Sequence, residues 1–133
     1  MSIFRALEIS SQGMSAQRER VTLATSNLAN AETTRGPDGG PYRRLDPVFE
    51  AVLNDDGSAG VRVAEVVADP SEGKLTYMPG HPDADASGFV RLPDVNPVHE
   101  VVNLVSAQRG FEANASAVDT VKTMAQRALE IMR

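Results

Sequence analysis

Cysteine and tryptophan are absent from the 133 residues, and aromatic residues make up only 5% of them. Without a thiol there is no disulfide, no zinc–thiolate centre and no cysteine nucleophile. Without large aromatics a core has to be assembled from Val, Leu and Ala, and much of that aliphatic content sits toward the two ends of the chain. No apolar run approaches the roughly 20 residues a membrane-spanning helix needs. The opening Met1-Ser2-Ile3-Phe4-Arg5-Ala6-Leu7-Glu8 lacks the continuous apolar stretch of a secretory signal peptide. By these rules alone the expectation is a cytoplasmic protein. Basic excess is missing too: the formal net charge is -5, which argues against a nucleic-acid partner. The small clusters Arg18 with Arg20 and Arg43 with Arg44 read as solvated surface charge, diluted by Glu19 and Asp46.

What the chain does have is periodicity at both ends. Leu7, Met14, Val21 and Leu28 recur every seven residues, with Ile3, Ala24 and Ala31 beside them, the pattern of one seam on a helix. A helix of this kind alone in water is marginal, so the seam asks for a partner. The match lies at the far end, where Leu104, Phe111, Val118, Ala125 and Met132 keep the same spacing, with Asn114 and Val121 completing a 3-4 stripe. Asn96-Pro97 supplies a preferred N-cap followed by a residue pre-set for the first helical position, and the helix it opens is expected to run to the end of the chain. Gly13 and Gly110 are the weak points of the two helices.

Between them lies turn chemistry and short alternation. Gly36-Pro37-Asp38-Gly39-Gly40-Pro41 is a loop or hairpin tip, Tyr42 to Leu53, which holds Pro47, is an edge strand or a strand with a break, and Val61 to Val67 is the best strand. Lys74 to Met78 and Phe89 to Leu92 are two more short strands, so the middle third reads as a small antiparallel β unit. The predicted fold class is α+β. The domains are an N-terminal helix over residues 1–31, a β-rich insert over 32–95 and a C-terminal helix over 96–133.

Three asparagines interrupt the seams. Asn114 sits within the C-terminal stripe, and Asn27 and Asn30 lie at the end of the N-terminal one. A buried Asn in a helical seam costs stability and can fix register and partner number, while an Asn facing solvent or a loop does neither. Periodicity leaves both readings open.

Catalytic chemistry has little to stand on. His81 and His99 are the only histidines and lack metal-ligand spacing, and no nucleophile elbow, phosphate loop or dinucleotide fingerprint is present. Asp83-Ala84-Asp85-Ala86-Ser87-Gly88, with Asp94 at the twelfth position, matches the opening of a calcium loop. Pro82 before it and Leu92-Pro93 within it oppose the flanking helices such a loop requires. A calcium-binding periplasmic interaction module is therefore the alternative function, and a cell-wall-cleaving enzyme is a third class for which no paired carboxylates speak.

The ordered motifs carry a family resemblance. Ser15-Ala16-Gln17 followed by Ala24-Thr25-Ser26-Asn27-Leu28-Ala29-Asn30-Ala31 resembles the signature of the flagellar rod, hook and hook-associated axial proteins. Gly36-Pro37-Asp38-Gly39-Gly40-Pro41-Tyr42-Arg43, Gly60-Val61-Arg62-Val63, Gly80-His81-Pro82-Asp83-Ala84-Asp85 and Gly88-Phe89-Val90-Arg91-Leu92-Pro93-Asp94-Val95-Asn96 are similar to the proximal-rod members of that family. Asn103-Leu104-Val105-Ser106-Ala107-Gln108-Arg109-Gly110-Phe111-Glu112-Ala113-Asn114 is similar to its C-terminal motif, with Gly110 standing where the family more usually has Ala. The resemblance implies a structural subunit, not an enzyme, with no cofactor, no small-molecule substrate and no nucleic acid. It implies N- and C-terminal helices paired as an antiparallel coiled coil that packs against neighbouring subunits, with the β insert outward. The site residues it implies are the motif Ser26, Asn27, Leu28, Ala29 and Asn30 and the two seams as assembly surfaces. Its implied place is the basal-body rod in the periplasm, where the rod transmits motor torque. It would be reached through the flagellar type III export apparatus without a cleaved signal. The implied partners are other rod proteins, further copies of itself, and the basal-body adaptor at the export gate and MS ring.

Overall fold

The computed structural model describes residues 3–132; Met1, Ser2 and Arg133, the outermost residues of the two helical domains read from sequence, lie outside them. Helix α1 spans Ile3–Ala29 and helix α2 spans Pro97–Ile131, with strands β1 (Leu45–Leu53), β2 (Ala59–Ala68), β3 (Lys74–Tyr77) and β4 (Phe89–Leu92) between them. No described helix is long and apolar enough to cross a membrane.

The α2 start follows its sequence signal. Asn96 is extended, its side-chain oxygen accepts from the N–H groups of Val98 and His99, and Pro97 takes the first helical position. The helix then passes through Gly110 without a break. Helices α1 and α2 lie antiparallel along each other: Asn27 meets Glu100, Arg20 meets Asn103, and Gly13 meets Asn114. Their contact is built from small and amide residues, with Ala16, Ala24 and Ala107 all buried.

The β unit is two separate two-stranded sheets, β1 with β2 and β3 with β4, each antiparallel. In the first, Val48 pairs with Glu65 and Phe49 with Val63, which leaves Ala64 as a bulge. The phase of this ladder explains how β1 holds a proline. Asp69 N–H donates to Arg44 at 2.7 Å and Asn54 N–H donates to Ser58 at 2.8 Å at its two ends. Alternation from either end puts Pro47, opposite Val66, at a position whose N–H would point to the open edge, so no ladder bond is lost.

The β1–β2 hairpin folds back along α1. Its start is bonded to Asn27, while its tip is held near the other end of the helix by an ion pair between Arg5 and Asp56 and a 3.0 Å bond from Gln12 Nε2 to Asn54. Gly60 leaves room there for the Gln12 amide, which a Cβ would displace from its bond to Asn54. Helix α1 thus lies between α2 on one side and the hairpin on another. The β3–β4 hairpin contacts neither helix; Tyr77 and Phe89 stack edge to face across it at 5.3 Å, and Val90 is buried beneath.

Candidate functional site at the helix and hairpin junction

Where α1 ends, one amide side chain joins three parts of the chain. Asn27 is 1% exposed. Its Nδ2 donates to the Leu45 carbonyl at 2.9 Å and to Glu100 Oε2 at 3.3 Å, and its Oδ1 accepts from the Leu45 N–H and the Tyr42 hydroxyl, each at 2.9 Å. Pairing both backbone groups of Leu45, the amide serves as a one-residue continuation of the ladder at the place where β1 begins. A side chain with a donor and an acceptor on one sp² carbon is the type that can do this. Ser26 Oγ lies 3.3 Å from the same Tyr42 hydroxyl.

Glu100, in the first turn of α2, is 2% exposed. Its Oε1 accepts from Arg44 Nε at 2.8 Å, and Arg44 Nη2 reaches Asp46 at 2.6 Å. Burial is the largest single influence on the Arg44 guanidinium and opposes its charge. The hydrogen bond to Glu100 and the charges of Asp46 and Glu100 together outweigh it and hold the Arg44 pKa above its ordinary value. A buried charge pair is tolerated only when its remaining positions are bonded, and here Asn27 and the Asp46 carboxylate supply those bonds. Nearby, Arg20 Nη2 donates to Asn103 at 2.9 Å, tying the helices once more. Two of the four arginines read as solvated charge, Arg20 and Arg44, are therefore engaged across elements, while Arg18 and Arg43 are exposed.

Asn30 closes the helix end: its Nδ2 donates to the Ser26 carbonyl at 2.9 Å and its Oδ1 accepts from Thr33 at 3.1 Å. Leu28 is half-buried and Ala29, the last helical residue, is exposed. On α1, Leu7, Met14 and Val21 are half-buried and Ile3 is exposed. On α2, Leu104, Asn114, Val118, Val121 and Ala125 are half-buried, Phe111 is at the margin of exposure, and Met132 lies beyond the helix and is exposed. The structure brings Asn114 against Gly13 and leaves Met132 83% exposed.

The calcium-loop acids go elsewhere. Asp83 accepts from Thr34 and Arg35, Asp85 accepts from the N–H groups of Ser87 and Phe89 in its own turn, and Asp94 pairs with Lys74 at 2.9 Å. Among the described residues no three His, Cys, Asp or Glu side chains are grouped to hold a metal ion.

Two family descriptions match the chain: "Flagella basal body rod protein" over residues 7–37 and "Flagellar basal body rod FlgEFG protein C-terminal" over residues 86–131. The flagellar basal-body rod protein FlgC of Aquifex aeolicus is 46% identical over 132 residues, covering 98% of this chain and 97% of that one. FlgC of Yersinia enterocolitica is 39% identical over 132 residues, with 98% of both chains covered. The chain belongs to the FlgC family of flagellar basal-body rod proteins. FlgC of Bacillus subtilis, at 38% identity over 148 residues, covers 98% of this chain and 99% of its own. As an FlgC-family member the chain is a structural subunit of the flagellar rod and not an enzyme. The two matched regions hold most of α1, the first part of the loop after it, β4 and α2, and they leave Tyr42, Arg44, β1, β2 and β3 outside. Asn27 and Glu100 fall one in each.

Sequence reasoning picked out Asn27 and missed Tyr42, Arg44, Leu45 and Glu100. An acid in the first turn of a helix already has a reason to be there, since it complements the dipole, and that reason concealed the second one.

Proposed function

We propose that this chain assembles through its two axial helices with other rod subunits and with further copies of itself, forming the periplasm-crossing shaft that transmits motor torque. The observation that supports this reading is apolar surface on the far sides of the helices. Val98, Val101, Val102 and Val105 form a 3-4 stripe on α2 with Val98 70% and Val102 61% exposed, and Phe4, Leu129 and Ile131 are exposed at the other end of the helix pair. Apolar faces of this extent on a chain with few fully buried residues mark contacts with other chains. The half-buried rows Leu7, Met14, Val21, Leu28 and Leu104, Val118, Val121, Ala125 are the assembly seams in this reading, and the ends Ile3 and Met132 are covered by neighbours. Passage through the flagellar type III export apparatus without a cleaved signal fits a chain with no disulfide to form and little core to rebuild. An adaptor at the export gate and MS ring is the partner at the rod base.

A deletion strain tests the proposal. Cells without the protein should build no hook and no external filament, and electron microscopy of their basal bodies should show no rod beyond the membrane ring. A deletion strain that swims with normal hooks overturns it.

A further inference from the structure

We propose that Gly13 and Gly110 are the residues that determine which register the two long helices adopt, each acting as a notch for an amide side chain of the opposite helix. A Cβ at Gly13 would stand 2.9 Å from Asn114 Oδ1 and 3.0 Å from its Cγ. A Cβ at Gly110 would stand 3.0 Å from Gln17 Cδ and 3.2 Å from its Cγ. Each helix therefore contributes one glycine and one amide to a single reciprocal cluster. The Asn114 half of the cluster is also pinned: Asn114 Nδ2 donates to the Gly110 carbonyl at 2.9 Å, so the Asn114 amide cannot swing away from Gly13 without losing that bond.

The apolar rows do not fix register by themselves. They repeat every seven residues on both helices, and the surrounding alanines allow close approach in more than one alignment. A slip of one heptad would set Asn114 against Ala6 or Arg20, both of which carry a Cβ where Gly13 has none. The notches thus select, at the middle of the pair, the same alignment that the Arg20–Asn103 and Asn27–Glu100 bonds make at its far end, out of several that the apolar rows would accept.

The test opposes two signs. Alanine is a better helix former than glycine, so a merely permissive Gly13 predicts that Gly13→Ala raises the melting temperature and leaves the alignment alone. The chain has no cysteine, so Ser15→Cys and Gln108→Cys on the two helices provide the only sites for nitroxide labels and pulsed electron–electron resonance. A heptad slip displaces one label by about 10 Å along the axis. The expected results are one narrow distance with native glycines, a second or broadened distance with a lowered melting temperature in Gly13→Ala, and recovery of both readouts in Gly13→Ala/Asn114→Ala. Recovery is the deciding measurement if Gly13→Ala alone does not fold. A single unchanged distance with an equal or higher melting temperature in Gly13→Ala, or no recovery on removing the Asn114 amide, overturns the proposal.

Discussion

Asn27 and Glu100 stand 3.3 Å apart across the antiparallel helix pair, the last full turn of one helix against the first turn of the other, and each is almost fully buried. The Asn27 amide has no spare bonding position: both of its atoms are occupied by Leu45, Tyr42 and Glu100. Removing it strands several partners at once.

Asn27→Ala leaves the Leu45 N–H and carbonyl without their partner and takes one bond from a buried carboxylate. The expected loss is about 3 kcal/mol. For a chain of this size that is a drop of roughly 10 °C in melting temperature, followed by circular dichroism on the isolated protein. Asn30→Ala, whose bonds are local to the helix end, should cost clearly less.

Glu100→Gln keeps the shape but leaves Arg44 with a neutral partner in a half-buried place. A destabilisation of about 2 kcal/mol is expected. Glu100→Gln combined with Arg44→Met, which removes both charges, should recover much of it. A double variant as unstable as the sum of the two single ones would mean that the pair itself contributes nothing.

Acid should loosen the insert at Asp56 and at Asp83. Asp56 is held below its ordinary 3.8 by the hydrogen bonds from Ser58 and then by Arg5, and Asp83 is held below the same value by the bond from Thr34 and then by Arg35 and His81. A carboxylate with a lowered folded-state pKa adds stability that is complete above its unfolded value and is lost as pH falls through the folded one. The loss therefore begins near pH 4 and grows below it. NMR shifts of the 54–58 turn and the 81–85 loop should move in that window, and Asp56→Asn and Asp83→Asn should each abolish the movement at their own site.

Val98→Asp/Val102→Asp separates assembly from folding. Both valines are exposed; an acid at Val98, in the first turn of α2, complements the helix dipole by about 0.5 kcal/mol, which offsets the similar cost of two acids set four residues apart. The isolated protein should melt no lower than the native chain while a complemented deletion strain fails to swim. Motility at the native level would remove this face from the assembly surfaces.

Hydrogen exchange should be graded along the helix pair. The Leu45 amide, bonded to Asn27, should be protected far more than amides near Leu129 and Ile131, whose side chains are 66% and 86% exposed. A dilute monomer in which the ends of α1 and α2 exchange as slowly as the junction would contradict the need for neighbouring subunits.

The elements and their order were legible because each had a local cause: heptad spacing for the helices, Asn96-Pro97 for the start of α2, and glycine and proline clusters for the turns. The face by which α1 meets α2 was not. The pattern of large side chains points to Leu7, Met14, Val21 and Leu28, whereas the contacts run through Gly13, Gln17, Arg20 and Asn27. Three of these lie one residue before a member of the apolar row, about 100° around the helix. Helices that approach closely do so over small residues, which carry no hydropathy signal, so periodicity reports that a stripe is buried without saying against what. Glu100, Arg44 and Tyr42 were hidden for a related reason. Their partners are 56 and 73 residues away in the case of Glu100, and no local rule couples positions that far apart.

The β1–β2 hairpin is fastened to α1 at two places, by Leu45 at Asn27 and by Asn54 and Asp56 at Gln12 and Arg5. Those anchor points are about 30 Å apart along the helix axis. A strip fixed at both ends to a rod acts as a splint, because the rod cannot bow toward or away from it without stretching the strip or breaking a fastening. Bending stiffness in this chain is accordingly a property of the helix and hairpin together, and the helix is stiffened over most of its length by a segment of the β-rich insert.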